Sequence, residues 1–377
     1  MNAMLEGYYD QGWDIYLCSM NTSRHYVSRE SLPKLYQNIK FETFEINTDV
    51  KILPTLKNFF LSKKPNHVDR FYDKDFEKKL ENIVSSFEPE LIQVESIYLA
   101  SYISTLRKLT EAPVAIRLHN IEYQIWERLS DEAANTFKRF YLRDLAVRIK
   151  RFEIEAWSAA DVLIPITSGD AEVVKNSVPS ANLIVAPFGI DSQKHQAPPK
   201  NERWVGYHIG AMDWLPNVEA VTWFLEAVWP DLHKEVPEFQ FHFAGRNMPG
   251  AFEKYEGEGI SCEGEVPSAS DFISDKKILI VPLRSGGGIR IKILEAMASG
   301  KLVVSTSVGV QGIDEAKPGV HFLLADTAED FINQINWLMS EKIAAEQIAK
   351  AGARMVTEEY DQTVIMARLV GKLLQLK

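Results

Sequence analysis

The chain has 377 residues, 46% of them hydrophobic and 25% charged, which is enough material for about two compact domains. A formal net charge of −10 excludes a general nucleic-acid binder held by phosphate neutralisation. Cys18 and Cys262, the only cysteines, match no metal-ligand spacing, and no apolar run approaches the ~20 residues of a membrane span. A reduced, cytoplasmic protein without structural zinc is expected.

The opening "MNAMLEGYYDQGWDIYLCSM" reads as a helix over Ala3–Asp10, a turn at Gly12 and a strand over Asp14–Ser19. Further strands are predicted at Phe41–Ile46, Leu91–Glu95, Val114–His119, Asp161–Ile166 and Asn182–Pro187. "YDKDFE" contains Asp73 and Asp75, an acidic pair of the kind that binds divalent metals. No apolar strand precedes it and a helix follows, so these read as N-terminal helix charges. The long helical region Ala133 to Trp157 carries Lys138, Arg139, Arg143, Arg148, Lys150 and Arg151. One reading is a solvated helix face; the sharper one is a surface for an acidic membrane or anionic acceptor, hence peripheral membrane association.

Prolines and polar residues in "SQKHQAPPKNERW", Ser192 to Trp204, then predict a linker. A second set of strands follows at Val205–Gly210, Phe239–Gly245, Ile260–Glu263, Lys277–Leu283 and Leu302–Thr306. Strands alternating with helices imply parallel sheets with crossover helices, in two similar α/β domains. The final helix is amphipathic, with Val364, Ala367, Leu369, Val370, Leu373 and Leu374 broadly on one side.

"VPLRSGGGIRIKILEAMASGKLVVST", Val281 to Thr306, carries the strongest chemical signal. It is either a bare turn or a backbone cradle for phosphate, where glycines permit close approach and a helix N-terminus offers free N–H groups. The nucleoside-triphosphate loop fails, because Glu295 and Leu302 stand where a Gly and a Ser or Thr are needed. The dinucleotide fingerprint fails as well, with Ile291 in place of its third glycine. "IRIKIL" alternates like a strand, but "LEAMASGK" is a good helix end, so a helix ending at Gly300 is predicted. On it Gly288, Lys292 and Glu295 fall at i, i+4 and i+7 on one face. A cation near the loop suits a diphosphate and a carboxylate one turn deeper suits a ribose. The plain alternative is a Lys–Glu surface pair.

Parallel α/β sheets bind ligands beyond the C-terminal ends of their strands. In the second half that rule collects Gly210 and Asp213, Gly245 and Arg246, Gly264 and Glu265, Arg284 to Gly288, and Thr306 to Gly309. In the first half it collects Glu95, His119 and Asn120, and Gly189 to Asp191.

The two segments "YHIGAMDWLPNVEAVTWFLEAVWPDLHKEVPEFQFHFAGRNMP" and "VPLRSGGGIRIKILEAMASGKLVVSTSVGVQGI" resemble the family 4 group of retaining GT-B glycosyltransferases. "LHNIE", "ITSGDAEVV" and "PFGID" are similar to that family's acceptor-domain motifs, and the likeness runs from about Glu6 to the C-terminus. The resemblance implies two Rossmann-like domains facing across a cleft: an acceptor domain over 1–195, a donor domain over 203–355, and a segment 356–377 returning to the first. It implies sugar transfer with retention from a nucleotide-diphosphate donor to a saccharide or lipid-linked acceptor, in cell-surface polysaccharide or glycolipid assembly, at the inner face of the membrane. No cofactor or metal is implied.

The family carries two glutamates separated by seven residues; Glu295 matches the second, which holds the ribose, but Gly287 stands in place of the first. Arg290 and Lys292 are then the implied diphosphate partners and His119 the residue near the reacting sugar. Donor contacts are implied for Gly286, Gly287, Gly288, Gly210, Arg246, Glu265 and Thr306, and acceptor-side contacts for Glu95 and Asn120. Family members begin with a strand and Gly-Gly loop ahead of the first helix, so N-terminal truncation and an incomplete cleft are expected. Nucleotide or sugar binding without turnover is the alternative function.

Overall fold

The computed structural model describes residues 2–22, 26–48, 64–195 and 203–376. The chain divides into two compact units, Met1–Ala186 with Met366–Lys377, and Pro187–Ile365. The first boundary thus falls at 186 rather than 195, and the returning segment starts at Met366 rather than 356. Of the expected linker, Ser192–His195 is a short helical turn in the second unit, and 196–202 lies outside the described residues.

The first unit runs α1 (Asn2–Asp10), β1 (Tyr16–Thr22), β2 (Lys40–Ile46), α2 (Lys74–Phe87), β3 (Ile92–Val94), β4 (Val114–Leu118), α3 (Glu122–Asp131), α4 (Thr136–Ala159) and β5 (Val162–Pro165). All its strand pairings are parallel, in a two-stranded β1-β2 sheet and a three-stranded β3-β4-β5 sheet. A cavity of about 480 Å³ opens against both β1 and β3, with Tyr8, Leu17, Phe76, Val94 and Tyr102 in its wall. All five residues of β4 are buried, which is why "VAIRL" reads as a central strand. Asp73 caps α2, accepting from the N–H groups of Asp75 (2.8 Å) and Phe76 (3.1 Å), as its place ahead of a helix predicts.

The strand expected at Asn182–Pro187 forms only one bridge to β5, at Leu163 and Leu183. Ile184 and Ala186 both donate to β5 carbonyls, at 3.0 Å, but Pro165 has no N–H to return the bond, so the ladder stops. The six basic residues expected on one face of α4 are also split. Arg148 is buried and paired with Asp144 at 2.8 Å, and Lys150 lies 4.6 Å over the Tyr123 ring.

The second unit contains β6 (Arg203–Ile209), α5 (Leu215–Trp223), β7 (Phe241–Ala244), β8 (Ile260–Gly264), β9 (Lys276–Val281), α6 (Ile291–Ala298), β10 (Leu302–Ser305) and β11 (Leu323–Leu324). They form one parallel sheet in the order β11-β10-β9-β6-β7-β8. β11, two residues long, was not readable in the sequence pattern. The last helix, α7 (Gln362–Leu373), buries Ile365, Met366, Leu369, Val370 and Leu373. Ala367 and Leu374, expected on that side, are exposed. Within the first unit a Cβ on Gly7 would collide with Met366, so that glycine lets α1 and the returning segment approach.

Candidate functional site

Chain order and sheet order together locate a site in the second unit. From β6 the chain continues to β7 on one side, whereas β9 lies on β6's other side, so the connections diverge between β6 and β9. Such a switch point opens a crevice beyond the C-terminal ends of the two strands. The loops leaving those ends are Gly210–Trp214 and Pro282–Arg290, which hold Gly210 and the Gly286–Gly288 run of the glycine-bearing strand ends expected from the sequence.

Gly286 and Gly288 have φ of 114° and 80°, a backbone region closed to most side chains. A Cβ on Gly286 would stand 2.7 Å from Arg290 Nη2 and 3.1 Å from the Trp214 ring. The glycine therefore makes room for a guanidinium under the loop. Arg290 is 7% exposed, stands immediately before α6, and donates Nη1 to the carbonyl oxygens of Gly287 and, at 2.9 Å, Gly288. Its plane lies 5.2 Å from the Trp214 ring centroid. Burial pulls its basicity down, and among the described residues Nε and Nη2 meet no acceptor.

The helix expected after the loop is α6, closed by Gly300 at φ 68°. It starts at Ile291, so Gly288 precedes it and only Lys292 and Glu295 share its register; the three-residue face is corrected to two. Lys292 and Glu295 do not form the plain surface pair either. The Lys292 ammonium turns inward to three acceptors: Ile209 O (3.0 Å), Asn217 Oδ1 (3.2 Å) and His208 Nε2 (3.2 Å). Burial, and then the charge of Arg290, push it down to about 7. His208 is fully buried, with Nδ1 2.9 Å from Ile280 O, so Nδ1 carries the proton and Nε2 accepts. Burial and the Lys292 charge hold the imidazole down at about 3. Asn217 completes the cage, donating Nδ2 to Ala211 O at 2.9 Å. Glu295 is half-buried; burial raises its carboxyl and His195 pulls it back.

Gly210 packs directly on Asn217, and a Cβ on Gly245 would collide with the Gly210 carbonyl oxygen, so the ends of β6 and β7 close on each other. Arg246 is exposed, 4.0 Å from Asp213 Oδ2, and Asn247 joins Asp213 (3.2 Å) to Glu265 (3.5 Å). The Thr306 hydroxyl is turned to its own loop. That group is buried, donating to Leu283 O and accepting from Gly309 N–H at 3.0 Å, so it closes its own loop. Sequence reasoning missed His208, Trp214 and Asn217. Their signal was their position: a histidine inside the strand before Gly210, and a Trp-Leu-Pro-Asn start to α5.

In the first unit, Glu95 and His119 follow β3 and β4, adjacent parallel strands, and meet at 3.2 Å between Oε2 and Nε2. A chain of hydrogen bonds runs behind them, from the Tyr8 hydroxyl to Gln93 and from Gln93 to Glu95. Burial raises the Glu95 carboxyl, but the His119 hydrogen bond and the Arg117 charge outweigh it and leave it below the usual range. A charged Glu95 accepts from His119 Nε2 and so orients the imidazole ring. Asn120 is exposed beside it.

Residues 205–341, which hold the whole switch-point site, match the family described as Glycosyl transferases group 1. Sucrose-phosphate synthase from Thermosynechococcus elongatus superposes with a TM-score of 0.66 at 16% identity, covering 99% of this chain and 91% of that one. Anabaena HepE in complex with UDP-glucose superposes at 0.62 and 14% identity, covering 99% and 94%. The chain has the GT-B glycosyltransferase fold. S. aureus TarM, solved with UDP, shares this GT-B fold at a TM-score of 0.55 and 14% identity over 78% of this chain, which spans 58% of TarM's length. An uncharacterized 44.6 kDa protein in the cps region of Klebsiella pneumoniae is 24% identical over 269 residues, 67% of this chain and 66% of that protein.

Proposed function

We propose that this protein transfers a sugar, with retention of configuration, from a nucleotide-diphosphate sugar to a saccharide or lipid-linked acceptor in cell-surface polysaccharide or glycolipid assembly. The observation that carries the reading is the buried Arg290 guanidinium. It sits under a positive-φ glycine loop at the switch point, with two nitrogens that meet no acceptor among the described residues. An unpaired buried cation is costly, and a bound anion relieves that cost. The diphosphate lies against Gly286 to Gly288 and the N-terminus of α6, where backbone N–H groups and the helix dipole favour negative charge. Glu295, one turn along α6, accepts the ribose hydroxyls.

The leaving diphosphate gains charge as the glycosidic bond breaks, so a fixed guanidinium beside it stabilises the transition state more than the ground state. Lys292 acts one step back in this scheme, holding the Gly210–Asn217 loop against α6. His119, oriented by Glu95, makes a hydrogen bond with a sugar hydroxyl. The group 1 match and the UDP-glucose bound by HepE support the donor class. The cps-region relative supports a surface-polysaccharide role.

Incubation with a panel of UDP-, GDP- and ADP-sugars, with and without saccharide acceptors, tests the reading by nucleoside diphosphate released. Turnover of one donor that rises with acceptor is expected. Tight nucleotide binding with no release from any donor would favour a binding protein without turnover.

A further inference from the structure

The turn between α3 and α4 carries an exposed apolar surface outside the residues assigned above to sugar transfer. Phe137 and Phe140, one turn apart at the start of α4, are 89% and 67% exposed. Leu129, near the end of α3, is 43% exposed, and Val147, two turns beyond Phe140, is 53% exposed. Single exposed apolar residues are ordinary, but two phenylalanines on adjacent turns of one helix face are a standing cost in water. The tip is braced, not loose: Arg139 donates Nε and Nη2 to Ala133 O at 3.2 and 2.9 Å, and Asn135 caps α4.

The charge around the pair is one-sided. Residues 136–151 contain Lys138, Arg139, Arg143, Arg148, Lys150 and Arg151 against Asp144 alone, in a chain of net charge −10. Arg148 is paired inward to Asp144, whereas Lys138 and Arg143, within one turn of the phenylalanines, are exposed, as is Arg151 farther along α4. The exposed acidic residues nearest the tip, Glu127, Asp131 and Glu132, precede α4, and Asp144 within it is paired with Arg148.

We propose that the α3–α4 tip docks on an anionic lipid bilayer, with Phe137 and Phe140 entering the headgroup–acyl boundary and Lys138 and Arg143 meeting lipid phosphates. Aromatic side chains ringed by cations suit that interface, where one end of the contact is apolar and the other wet and negatively charged. A second copy of the chain suits it poorly. A two-fold dimer through this patch would set cations against cations, and two phenylalanines bury about 300–500 Å², short of the ~800 Å² per partner of a stable interface. The inference stands apart from the transfer reading, since the test contains no sugar nucleotide and either can fail alone.

Co-sedimentation of the full chain with vesicles tests it, using phosphatidylcholine alone and phosphatidylcholine with phosphatidylglycerol. Binding to the anionic vesicles only, weakened by salt, is expected. F137S/F140S and K138Q/R143Q, all at exposed positions, should each weaken it about tenfold with an unchanged circular dichroism spectrum. Equal binding to both vesicle types, no binding to either, or undiminished binding by both variants would overturn the proposal. So would a concentration-dependent dimer that F137S/F140S abolishes.

Discussion

The Lys292 ammonium lies 3.2 Å from His208 Nε2, and the other imidazole nitrogen is 2.9 Å from the Ile280 carbonyl oxygen. The pair works only with His208 neutral, because Nε2 must offer a lone pair to Lys292. His208 is held at about 3, below its ordinary value of 6.5. The unfolded chain therefore binds the proton first as pH falls. The stability it contributes is present above about 6.5 and is lost progressively below that, down to about 3. Chemical denaturation of wild type and His208→Gln from pH 4 to 8 checks this, with the wild type expected to show the steeper loss on the acid side.

Removing the cation leaves its cage unsatisfied. Lys292→Ala strands acceptors on Asn217, Ile209 and His208, so a loss of about 1–3 kcal/mol in stability is expected. A surface Lys–Glu pair would cost at most about 1 kcal/mol. Urea midpoints at matched m-values distinguish the two.

The glycine loop should tolerate a methyl group unequally. Gly286→Ala forces a left-handed φ of 114° on alanine and drives Cβ to 2.7 Å from Arg290, whereas a Cβ on Gly288 meets nothing within 4 Å. Gly286→Ala should therefore weaken nucleoside-diphosphate binding more than Gly288→Ala, each also bearing backbone strain of about 1–3 kcal/mol. Titration calorimetry of both variants reads the difference.

Glu95 and His119 belong to the first unit, so their loss should register in turnover and leave nucleotide affinity unchanged. His119→Ala is expected to lower kcat about tenfold, the cost of one hydrogen bond made in the transition state. Glu95→Ala should follow in the same direction, and Glu95→Gln, which still accepts a hydrogen bond from Nε2, should recover part of the loss. A collapsed melting transition in His119→Ala would instead assign the histidine to structure.

Glu153 gives a pH dependence of the opposite sign. Its fully buried carboxylate accepts the N–H groups of Glu122 and Tyr123 at 2.9 Å, at the start of α3, and burial raises it from 4.5 to about 7. The unfolded chain loses that proton first, so this contribution to stability falls as pH rises from about 4.5 to about 7. Glu153→Gln should flatten that slope in a thermal melt series.

Much of this fold was legible because period and punctuation agreed with it. β4 and β9 are short, mostly apolar and mostly buried, as a parallel sheet demands, and Gly300 stops α6 where its left-handed φ is needed. Where the pattern misled, tertiary geometry decided. Pro165 silently ended a ladder that Asn182–Pro187 seemed able to extend, and Arg148 turned inward to Asp144 from a helix that reads as uniformly basic. In the site, the sequence marked the loop and its charges but not their directions. Spacing put Lys292 and Glu295 on one helix, yet only the fold reveals that Lys292 points to His208 and Asn217 while Arg290 folds back beneath the glycines. The Lys292 and His208 contacts join residues about 70 to 85 positions apart, beyond the reach of any local pattern.

The central claim is a nucleotide-diphosphate site built by the Gly286–Gly288 loop, Arg290 and Glu295. Calorimetric titration of UDP, GDP and ADP into wild type, Arg290→Ala and Glu295→Ala tests it most directly. At least one nucleotide should bind wild type, with Glu295→Ala and Arg290→Ala each weakening it by about 1.5–3 kcal/mol, the range for hydrogen bonds to charged groups. Failure of all three nucleotides to bind, or equal affinity in wild type and both variants, would contradict it.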